Sequence, residues 1–394
     1  MKAGLLGRKL GHSLSPQIHR LFGDYDYRLY EREPEEVADF VRTCGLDFLN
    51  VTIPYKQTVF ALCDELTPMA KRLGNVNFVR RTPEGRLLGD NTDAYGVERL
   101  LDSVHASVAG RRCAILGAGG AAMTVKAVLE QRGAAEAAFV RRGERPSPDA
   151  ELIVNATPVG MYPDVDGVRI DISEYPSCRT VLDLVYNPSP TRLVREARQL
   201  GKTAADGLVM LIAQAYRAYE FSIRRIVESS NEVETIEQSN NREIEQFSHP
   251  LYLYGPPASG KSTLARQLAL ATGRTAVDLD DEIVKLAGRP IPEIFAAQGE
   301  AAFRALERTA LERVSAEKGL IVALGGGALI DDACRRLAEA GGRVVVLDCD
   351  LATLQARLTG PDRPLSASAA KLEALMKTRA AHYASFARHV KMIQ

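Results

Sequence analysis

A glycine-rich loop that contains a lysine lies in the C-terminal part of the chain. Residues 255–263 read Gly-Pro-Pro-Ala-Ser-Gly-Lys-Ser-Thr, which completes a G-x-x-x-x-G-K-S pattern after an apolar run at residues 251–254. In such a loop backbone N–H groups surround phosphate oxygens, the lysine reaches the β- and γ-phosphates, and the serine hydroxyl binds Mg²⁺. The sequence therefore predicts a site for ATP and Mg²⁺. Its cofactor-binding residues are Gly255, Ser259, Gly260, Lys261, Ser262 and Thr263, of which Lys261 is also catalytic.

Side chains suited to phosphoryl transfer follow this loop. They occur in the order Asp278 and Asp280, Phe303 and Arg304 with Glu307, Gly325 to Gly327, Arg363, and Arg379 with Tyr383. Such a reaction requires one carboxylate beside Mg²⁺, another beside the acceptor hydroxyl, and arginines for a substrate carboxylate and the γ-phosphate. Taken singly, the arginines are as often solvated helix residues and the glycines a plain turn. Their order after the phosphate loop favours a kinase site.

A second glycine-rich loop occupies residues 117–122, between the apolar run at residues 112–116 and a helical pattern. Its G-x-G-x-x-A pattern lets the backbone approach a pyrophosphate at a helix N-terminus. The next apolar run ends at Arg141 and Arg142, where an NAD enzyme would carry an acidic residue, so a 2′-phosphate and NADP are favoured. Two solvated arginines near Glu144 are the alternative. The predicted cofactor-binding residues are Gly117, Ala118, Gly119, Gly120, Ala121, Ala122, Arg141 and Arg142.

Three short polar clusters lie upstream of that loop, at residues 11–19, 50–56 and 89–93. Serine, threonine and asparagine side chains can bind a polyhydroxylated substrate, because an unpaired polar group in a closed site is costly. Lys56 and Asp93 can move a proton to or from a carbonyl or alcohol during hydride transfer. Each residue also has an ordinary explanation as a helix cap or a surface lysine. Only their combination indicates a catalytic site.

The elements that must position these residues alternate between short apolar strands and longer helical patterns. This alternation is typical of parallel sheets covered by helices, which bind ligands at the carboxyl ends of their strands. Residues 225–248 are polar and acidic, and we read them as a linker, with an exposed helix as the alternative. Only residues 143–149 separate Arg142 from the next strand, which is too short for a helix, so a shortened dinucleotide domain is expected.

Composition, net charge and cysteine content limit the classes of protein to which the chain can belong. Apolar residues make up 46% and charged residues 25% of the 394-residue chain, and its formal net charge is zero, so neither nucleic acid nor a membrane is expected as a partner. Six cysteines are dispersed without a C-x-x-C pair, which favours reduced thiols and a cytoplasmic protein. The oligomeric state stays open.

The first part of the chain resembles the shikimate dehydrogenase family over almost all of residues 1–224. It has, in order, S-x-S-P-x-x-H, N-V-T-x-P-x-K, N-T-D-x-x-G, G-A-G-G-A-A, N-A-T-P-x-G-M and D-G-x-x-M-L-x-x-Q. The resemblance implies that Lys56 and Asp93 are the catalytic pair and that Thr157 and Met161 flank the nicotinamide. It implies substrate binding by Ser13, Ser15, Thr52, Asn77, Tyr186 and Gln214.

Residues 249–394 resemble shikimate kinase in the phosphate loop, D-x-D, G-E-x-x-F-R-x-x-E, L-G-G-G, R-P-L and R-x-x-x-Y. The resemblance implies that Ser262 and Asp278 bind Mg²⁺, that Asp280 orients or deprotonates the shikimate hydroxyl, that Arg363 closes over the phosphates, and that Arg357 lies near the adenine. It implies substrate binding by Arg304, Gly326, Gly327 and Arg379. The family pattern normally continues through a last strand and helix, which we expect this chain to lack.

Taken together, these patterns predict an α/β protein that converts 3-dehydroshikimate to shikimate and then to shikimate 3-phosphate. The expected domains are a substrate domain at residues 1–94 completed by a helix at 205–224, a Rossmann-like NADP domain at 95–204, the linker at 225–248, and a P-loop kinase domain with a parallel sheet at 249–394. The alternative is a quinate/shikimate dehydrogenase whose kinase-like part binds ATP without turnover as a regulatory module.

Overall fold

The computed structural model describes residues 1–11, 13–223, 226–229, 232–235, 249–358 and 369–391. The chain divides into two compact units, Met1–Ser239 and Asn240–Met392, and each is described by itself. The finer domain limits expected from the sequence stay predictions.

The first unit begins with a mixed sheet of six strands in the order β2-β1-β3-β5-β6-β4. The strands are β1 (Lys2–Gly7), β2 (Asp26–Glu31), β3 (Phe48–Val51), β4 (Glu65–Leu66), β5 (Phe78–Arg81) and β6 (Leu87–Asp90). The helices are α1 (Ser15–Phe22), α2 (Val37–Thr43), α3 (Lys56–Phe60), α4 (Pro68–Leu73) and α5 (Thr92–Ser103). β1 and β3 are parallel, and β5 is antiparallel to both β3 and β6. Every residue of β3 is buried, which places this strand in the core.

The second sheet of this unit is wholly parallel, in the order β11-β10-β9-β7-β8. Its strands are β7 (Arg112–Leu116), β8 (Glu136–Val140), β9 (Leu152–Asn155), β10 (Thr180–Asp183) and β11 (Thr203–Ala205). Its helices are α6 (Gly120–Gln131) and α7 (Arg192–Gln199), and α8 (Leu208–Ile223) follows the last strand. The central strands β9 and β10 are buried along their whole length, as expected for a sheet covered on both faces.

The connection from β8 to β9 contains no helix between residues 141 and 151, all of which the structure describes. The expectation of a shortened dinucleotide domain is therefore confirmed. Ile170, Ile172 and Tyr175, from the segment between β9 and β10, join the buried cluster on this sheet together with α7. A loop with one short 3₁₀ turn thus covers part of this sheet together with α7.

Helix α8 returns to the first sheet, where it packs against α5 and α1. Gly96 makes the close approach to α5 possible, because a Cβ there would lie 2.8 Å from the carbonyl oxygen of Met210. The last helical stretch of the dehydrogenase-like part is thereby placed beside the N-terminus of α5, where Asp93 lies.

Strands β12 (Ile226–Ser229) and β13 (Glu232–Thr235) form an antiparallel pair. They fall within the segment that the sequence predicts to be a linker, and for these residues the alternative of a continuing helix is wrong. The remainder of that segment lies outside the described residues.

The second unit is built on a parallel sheet in the order β15-β16-β14-β17-β18. Its strands are β14 (Leu251–Tyr254), β15 (Thr275–Asp278), β16 (Leu320–Ala323), β17 (Arg343–Asp348) and β18 (His389–Lys391). Its helices are α9 (Lys261–Thr272), α10 (Leu279–Ala287), α11 (Ile291–Ser315, kinked at Gly299), α12 (Asp332–Gly341), α13 (Leu351–Leu358) and α14 (Ala369–Ala384).

The expectation that this unit lacks its last strand is wrong. His389–Lys391 pairs with β17 in parallel register, with Leu347 opposite Val390. A strand of three residues has too few positions for its alternation to be recognised in the sequence.

Among the described residues, no helix is both long enough and apolar enough to cross a lipid bilayer.

Candidate active sites

A cavity of about 860 Å³ lies in the first unit, between its two sheets. It brings together ten residues that the sequence predicts for substrate, cofactor or catalysis, from segments far apart in the chain. They are Ser13, Ser15, Thr52, Lys56, Asn77, Asp93, Ala121, Met161, Tyr186 and Gln214. Their roles in binding stay predictions, but their convergence on one cavity is a property of the fold.

Lys56 and Asp93 form an ion pair inside this cavity, between Lys56 Nζ and Asp93 Oδ2. The other carboxylate oxygen, Oδ1, accepts a hydrogen bond of 2.8 Å from Asn77 Nδ2. Asn77 is itself fixed, because its Oδ1 accepts a 2.6 Å hydrogen bond from the backbone N–H of Thr92 at the start of α5. The ammonium group is therefore held in one place by a carboxylate whose own orientation is set.

Ser13 and Ser15 lie at the N-terminus of α1. Ser13 Oγ donates to Ser15 Oγ at 3.2 Å, so the two hydroxyls face the same part of the cavity. Gln214 also lines the cavity and lies on α8 one turn beyond Met210, where its Cβ would be 3.5 Å from a Cβ placed on Gly96 of α5. Hydroxyl, amide, ammonium and carboxylate groups thus surround one space, which suits a small substrate with several oxygens.

The glycine-rich loop of the first unit connects β7 to α6. Gly119 and Gly120 face open space, and an added Cβ would meet nothing within 4 Å, so the N-terminus of α6 is accessible to a phosphate group. Gly117 lies against the loop after β9, because its Cβ would come within 3.1 Å of Thr157 Cγ2. Ala121 reaches the cavity wall, whereas Gly117, Ala118, Gly119, Gly120, Ala122 and Thr157 do not line it.

Arg141 and Arg142 lie just beyond the carboxyl end of β8, and both are exposed. The backbone N–H of Arg141 donates to Glu144 Oε2 at 2.7 Å, so the acidic neighbour caps the turn. Arg169, which the sequence analysis did not single out, donates from its guanidinium group to the carbonyl oxygen of Arg141. Because β7 and β8 are parallel, Arg141 and Arg142 lie at the same edge of the sheet as the glycine-rich loop. Neither arginine lines the cavity.

Several cavity residues were missed by sequence reasoning. Asn50, Glu31, Lys9, Tyr162 and Asn187 all line the cavity. Asn50 belongs to a motif that was recognised, and its buried side chain accepts a 2.9 Å hydrogen bond from Tyr27. Glu31 ends an edge strand and accepts from the backbone N–H of Leu10 at 2.5 Å, an arrangement that no local pattern indicates.

The phosphate loop of the second unit joins β14 to α9. Gly255 has φ +131°, and a Cβ there would lie 2.8 Å from the carbonyl oxygen of Leu347, so only glycine fits. Lys261 is folded onto the loop, donating to the carbonyl oxygens of Gly255 at 3.0 Å and Pro256 at 2.7 Å. Burial lowers the pKa of Lys261 to about 8, against the opposing effect of Asp280 and Asp278.

Ser262 and Asp278, the residues predicted for Mg²⁺, are in direct contact. Ser262 Oγ donates to Asp278 Oδ2 at 2.6 Å, and Asp278 Oδ1 accepts from the backbone N–H of Asp280 as the cap of α10. An oxygen donor pair of this kind suits Mg²⁺, which takes most of its remaining ligands from water and phosphate. Burial and the neighbouring Asp278 raise the pKa of Asp280.

The glycines of residues 325–327 follow β16 and meet the other predicted substrate residues. A Cβ on Gly325 would lie 3.4 Å from Asp280 Oδ1, and one on Gly327 would lie 3.3 Å from Arg379 Nη1 and 3.4 Å from Arg304 Nη2. Bulkier residues would therefore fill the space between these charged groups. The carboxyl ends of β14, β15 and β16 converge here, as the parallel sheet requires.

The carbonyl oxygen of Gly326 is held in place by three side chains. It accepts hydrogen bonds from Arg379 Nη1 at 3.0 Å, Tyr383 Oη at 2.7 Å and Tyr254 Oη at 3.4 Å. Arg304 donates to Glu307, a buried carboxylate, at 2.6 Å. Burial raises the pKa of Glu307, and the Arg304 guanidinium opposes that effect.

Two arginines complete the list of predicted kinase residues. Arg357 lies against the phosphate loop, where its Nη1 donates to the carbonyl oxygen of Ser259 at 3.2 Å. Arg363 lies outside the described residues. Thr263 is exposed on the first turn of α9.

These sites define two classes of enzyme in one chain. The first unit has the architecture of an α/β oxidoreductase, with the Lys56–Asp93 ion pair in a cavity beside a glycine-rich loop. The second has that of a P-loop phosphotransferase.

Comparison with known proteins separates the two units in the same way. Residues 5–79 match the family model of the shikimate dehydrogenase substrate binding domain, and residues 257–393 match that of shikimate kinase. A shikimate dehydrogenase (NADP(+)) of Clostridium perfringens is 32% identical over 263 residues, which are 60% of this chain and 97% of the relative.

Solved structures agree. A shikimate 5-dehydrogenase of Thermus thermophilus, in complex with NADP(H) and shikimate, is 29% identical with a TM-score of 0.52 and covers 56% of this chain and 93% of its own. A chorismate mutase/shikimate 5-dehydrogenase fusion protein of Clostridium acetobutylicum is 32% identical with a TM-score of 0.53, covering 56% and 90%. The chain therefore belongs to the shikimate dehydrogenase family, with a shikimate kinase domain at its C-terminal end.

Proposed function

We propose that this chain catalyses two consecutive reactions: reduction of 3-dehydroshikimate to shikimate with NADPH in its first unit, and phosphorylation of shikimate to shikimate 3-phosphate with ATP in its second. The observation that carries the first activity is the Lys56–Asp93 ion pair inside a cavity lined by hydroxyl and amide groups. The second activity rests on the contact between Ser262 and Asp278 beside the phosphate loop.

In the reduction, NADPH supplies a hydride to the carbonyl carbon of the substrate. Lys56 donates a proton to the carbonyl oxygen, so that the C=O π bond is replaced by one C–H and one O–H bond. Asp93 stabilises the ammonium form of Lys56 and orients it, and Asn77 fixes Asp93. Substrate oxygens are bound by Ser13, Ser15, Thr52, Asn77, Tyr186 and Gln214.

The cofactor of the first unit is held at the N-terminus of α6, where Gly119 and Gly120 leave open space. Arg141 and Arg142 bind the 2′-phosphate, which selects NADP over NAD. Thr157 and Met161 flank the nicotinamide. The similarity to shikimate dehydrogenases (NADP(+)), such as that of Clostridium perfringens, supports this choice.

In the phosphorylation, ATP supplies the phosphoryl group when bound. Lys261 leaves the loop carbonyls and binds the phosphate oxygens, while Ser262 and Asp278 bind Mg²⁺. Asp280 would accept the proton of the shikimate 3-hydroxyl group while that oxygen forms a bond to the γ-phosphorus, and the bond between the γ-phosphorus and the departing ADP would break. Arg304, Gly326, Gly327 and Arg379 bind shikimate, Arg357 lies near the adenine, and Arg363 closes over the phosphates.

The proposal is tested by incubating the full chain with 3-dehydroshikimate, NADPH, ATP and Mg²⁺ and by following NADPH absorbance and shikimate 3-phosphate. We expect both signals. ATP binding without phosphate transfer, in a protein that still oxidises NADPH, would favour a regulatory second unit instead.

Variants assign each activity to its unit. Lys56→Ala should lower NADPH oxidation by about 10²-fold or more, the range of a general acid, and leave phosphorylation of added shikimate unchanged. Lys261→Ala should stop the sequence at shikimate. Lys71→Ala and Lys285→Ala, both exposed lysines outside the two sites, are the matched controls. Loss of both activities in either active-site variant would contradict two independent sites.

A further inference from the structure

Asp183 is a buried carboxylate at the carboxyl end of β10 that has no part in the proposed chemistry. Its side chain is 1% exposed and does not line the cavity. Oδ1 accepts hydrogen bonds from Asn155 Nδ2 at 2.8 Å and from the backbone N–H of Val185 at 3.0 Å. Oδ2 accepts from Thr191 Oγ1 at 2.7 Å. Burying a carboxylate costs free energy unless its oxygens are hydrogen-bonded, so the partners of Asp183 show which groups hold it in place.

The first partner, Asn155, shapes the loop that follows β9. Its Oδ1 accepts from the backbone N–H of Thr157 at 3.1 Å and from Thr157 Oγ1 at 2.6 Å. Its Nδ2 also donates to the carbonyl oxygen of Val159 at 3.2 Å. The same loop continues to Met161 and Tyr162, which line the cavity. One amide therefore determines the path of this loop, and Asp183 fixes that amide.

The second partner, the backbone of Val185, belongs to the loop after β10. Leu184, Tyr186 and Asn187 of that loop line the cavity as well. The two loops are joined directly, since the backbone N–H of Tyr162 donates to the carbonyl oxygen of Asn187 at 2.9 Å. Asp183 thus lies behind two cavity walls and is bonded to the base of each.

We propose that Asp183 is a positioning residue for hydride transfer, which acts by holding Asn155 and so fixing both loops on the dinucleotide side of the cavity. This inference rests on the proposed reductase activity. A misplacement of about 1 Å between reacting groups costs on the order of 10²-fold in rate. Of the six side chains proposed to bind the substrate, only Tyr186 belongs to one of these two loops, so the loss of Asp183 should change the KM for shikimate much less than kcat.

The test is steady-state kinetics of the full chain with Asp183→Ala and Asp183→Asn. Asp183→Ala should lower kcat for NADP⁺-dependent shikimate oxidation at least about tenfold while leaving the KM for shikimate close to the wild-type value. Asp183→Asn keeps an acceptor oxygen for Asn155 and should restore most of kcat. Asp206→Asn is the matched control, because Asp206 is also buried and bonds Ser189 in the loop after β10, but it has no hydrogen bond to Asn155. Its kcat should fall less than that of Asp183→Ala.

Asn155→Ala removes the same contact from the other side and serves if Asp183→Ala does not fold. Combining Asn155→Ala with Asp183→Ala should lower kcat by less than the product of the two single effects, because the contact between Asn155 and Asp183 is lost in each variant. Wild-type kcat in Asp183→Ala, additive losses in the double variant, or a parallel rise in the KM for shikimate would overturn the inference alone. An inactive wild-type chain would overturn the proposed function as well.

Discussion

At the scale of single residues, the first unit keeps an ionised carboxylate where burial disfavours it. Burial raises the pKa of Asp183 from 3.8 to about 6, and the neighbouring Asp206 adds to this effect, while Thr191, Val185 and Asn155 oppose it. The folded state therefore binds the proton more tightly than the unfolded state. The stability that this carboxyl contributes is full below pH 3.8 and is lost as the pH rises through about 6.

Asp183→Asn is accordingly expected to raise the free energy of unfolding of the first unit at pH 7 by about 1 to 2 kcal/mol, because it removes the ionised form. The gain should shrink as the pH falls towards 4. Thermal unfolding followed by circular dichroism, in the transition that NADP⁺ shifts, measures this. A loss of stability at pH 7 would show that the hydrogen bonds to the carboxylate outweigh its desolvation.

Much of the residue-level site could be predicted from the sequence, because catalytic side chains occur in short motifs. Lys56 and Asp93 were identified in this way, and the fold brings them into one ion pair. Glu31, Lys9 and Arg169 could not be found, because their places depend on an edge strand and on irregular loops. The position of Asp183 behind two loops could be found only from the structure.

At the scale of elements, the contact between α5 and α8 connects the two ends of the dehydrogenase-like part. Gly96 sits at the crossing, where a Cβ would lie 2.8 Å from both the Cγ atom and the carbonyl oxygen of Met210. Backbone cannot yield as a flexible side chain can, so the helices must separate if the residue grows.

Gly96→Ala is therefore expected to destabilise the first unit by about 1 to 3 kcal/mol and to raise the KM for shikimate, because Gln214 moves with α8. Urea unfolding and dehydrogenase kinetics measure the two effects. Gly110→Ala, at a turn with open space around it but φ +73°, controls for backbone strain alone, and it should leave the KM unchanged. An unaltered KM for shikimate in Gly96→Ala would show that the packing of α5 against α8 does not affect substrate binding.

The alternation of strands and helices predicted the parallel sheets at this scale, since a fully buried strand reads as a continuous apolar run. The short strand β18 escaped recognition because three residues carry no readable period. The pairing of β12 with β13 was missed because polar residues dominate that segment.

At the scale of the whole molecule, the residues predicted for each of the two reactions fall within one unit. Residues that line the cavity of the first unit all precede residue 215, and the phosphate loop begins at Gly255. Under the proposed function, we therefore expect the shikimate that one chain produces to serve as substrate for the kinase site of another.

A mixture of Lys56→Ala and Lys261→Ala chains should for this reason form shikimate 3-phosphate from 3-dehydroshikimate, whereas neither variant alone should. The rate in the mixture should approach half of the wild-type rate at equal total protein, since half of the sites for each step are intact. Product formation in the coupled assay decides this. Failure of the mixture, with both single activities present, would mean that shikimate must pass directly within one chain.

The segment between β9 and β10, which covers part of the parallel sheet, has a consequence for local unfolding of the first unit. Three side chains that cover the parallel sheet, those of Ile170, Ile172 and Tyr175, belong to a segment with little regular backbone hydrogen bonding of its own. A helix unfolds as one cooperative unit. A segment without such bonding can open locally, a few residues at a time, and this local opening requires less free energy than global unfolding. Solvent should thus reach the strands below it most often, next to the arginines that would recognise the cofactor. Under the proposed function, we expect the rate of this local opening to limit the lifetime of the bound dinucleotide.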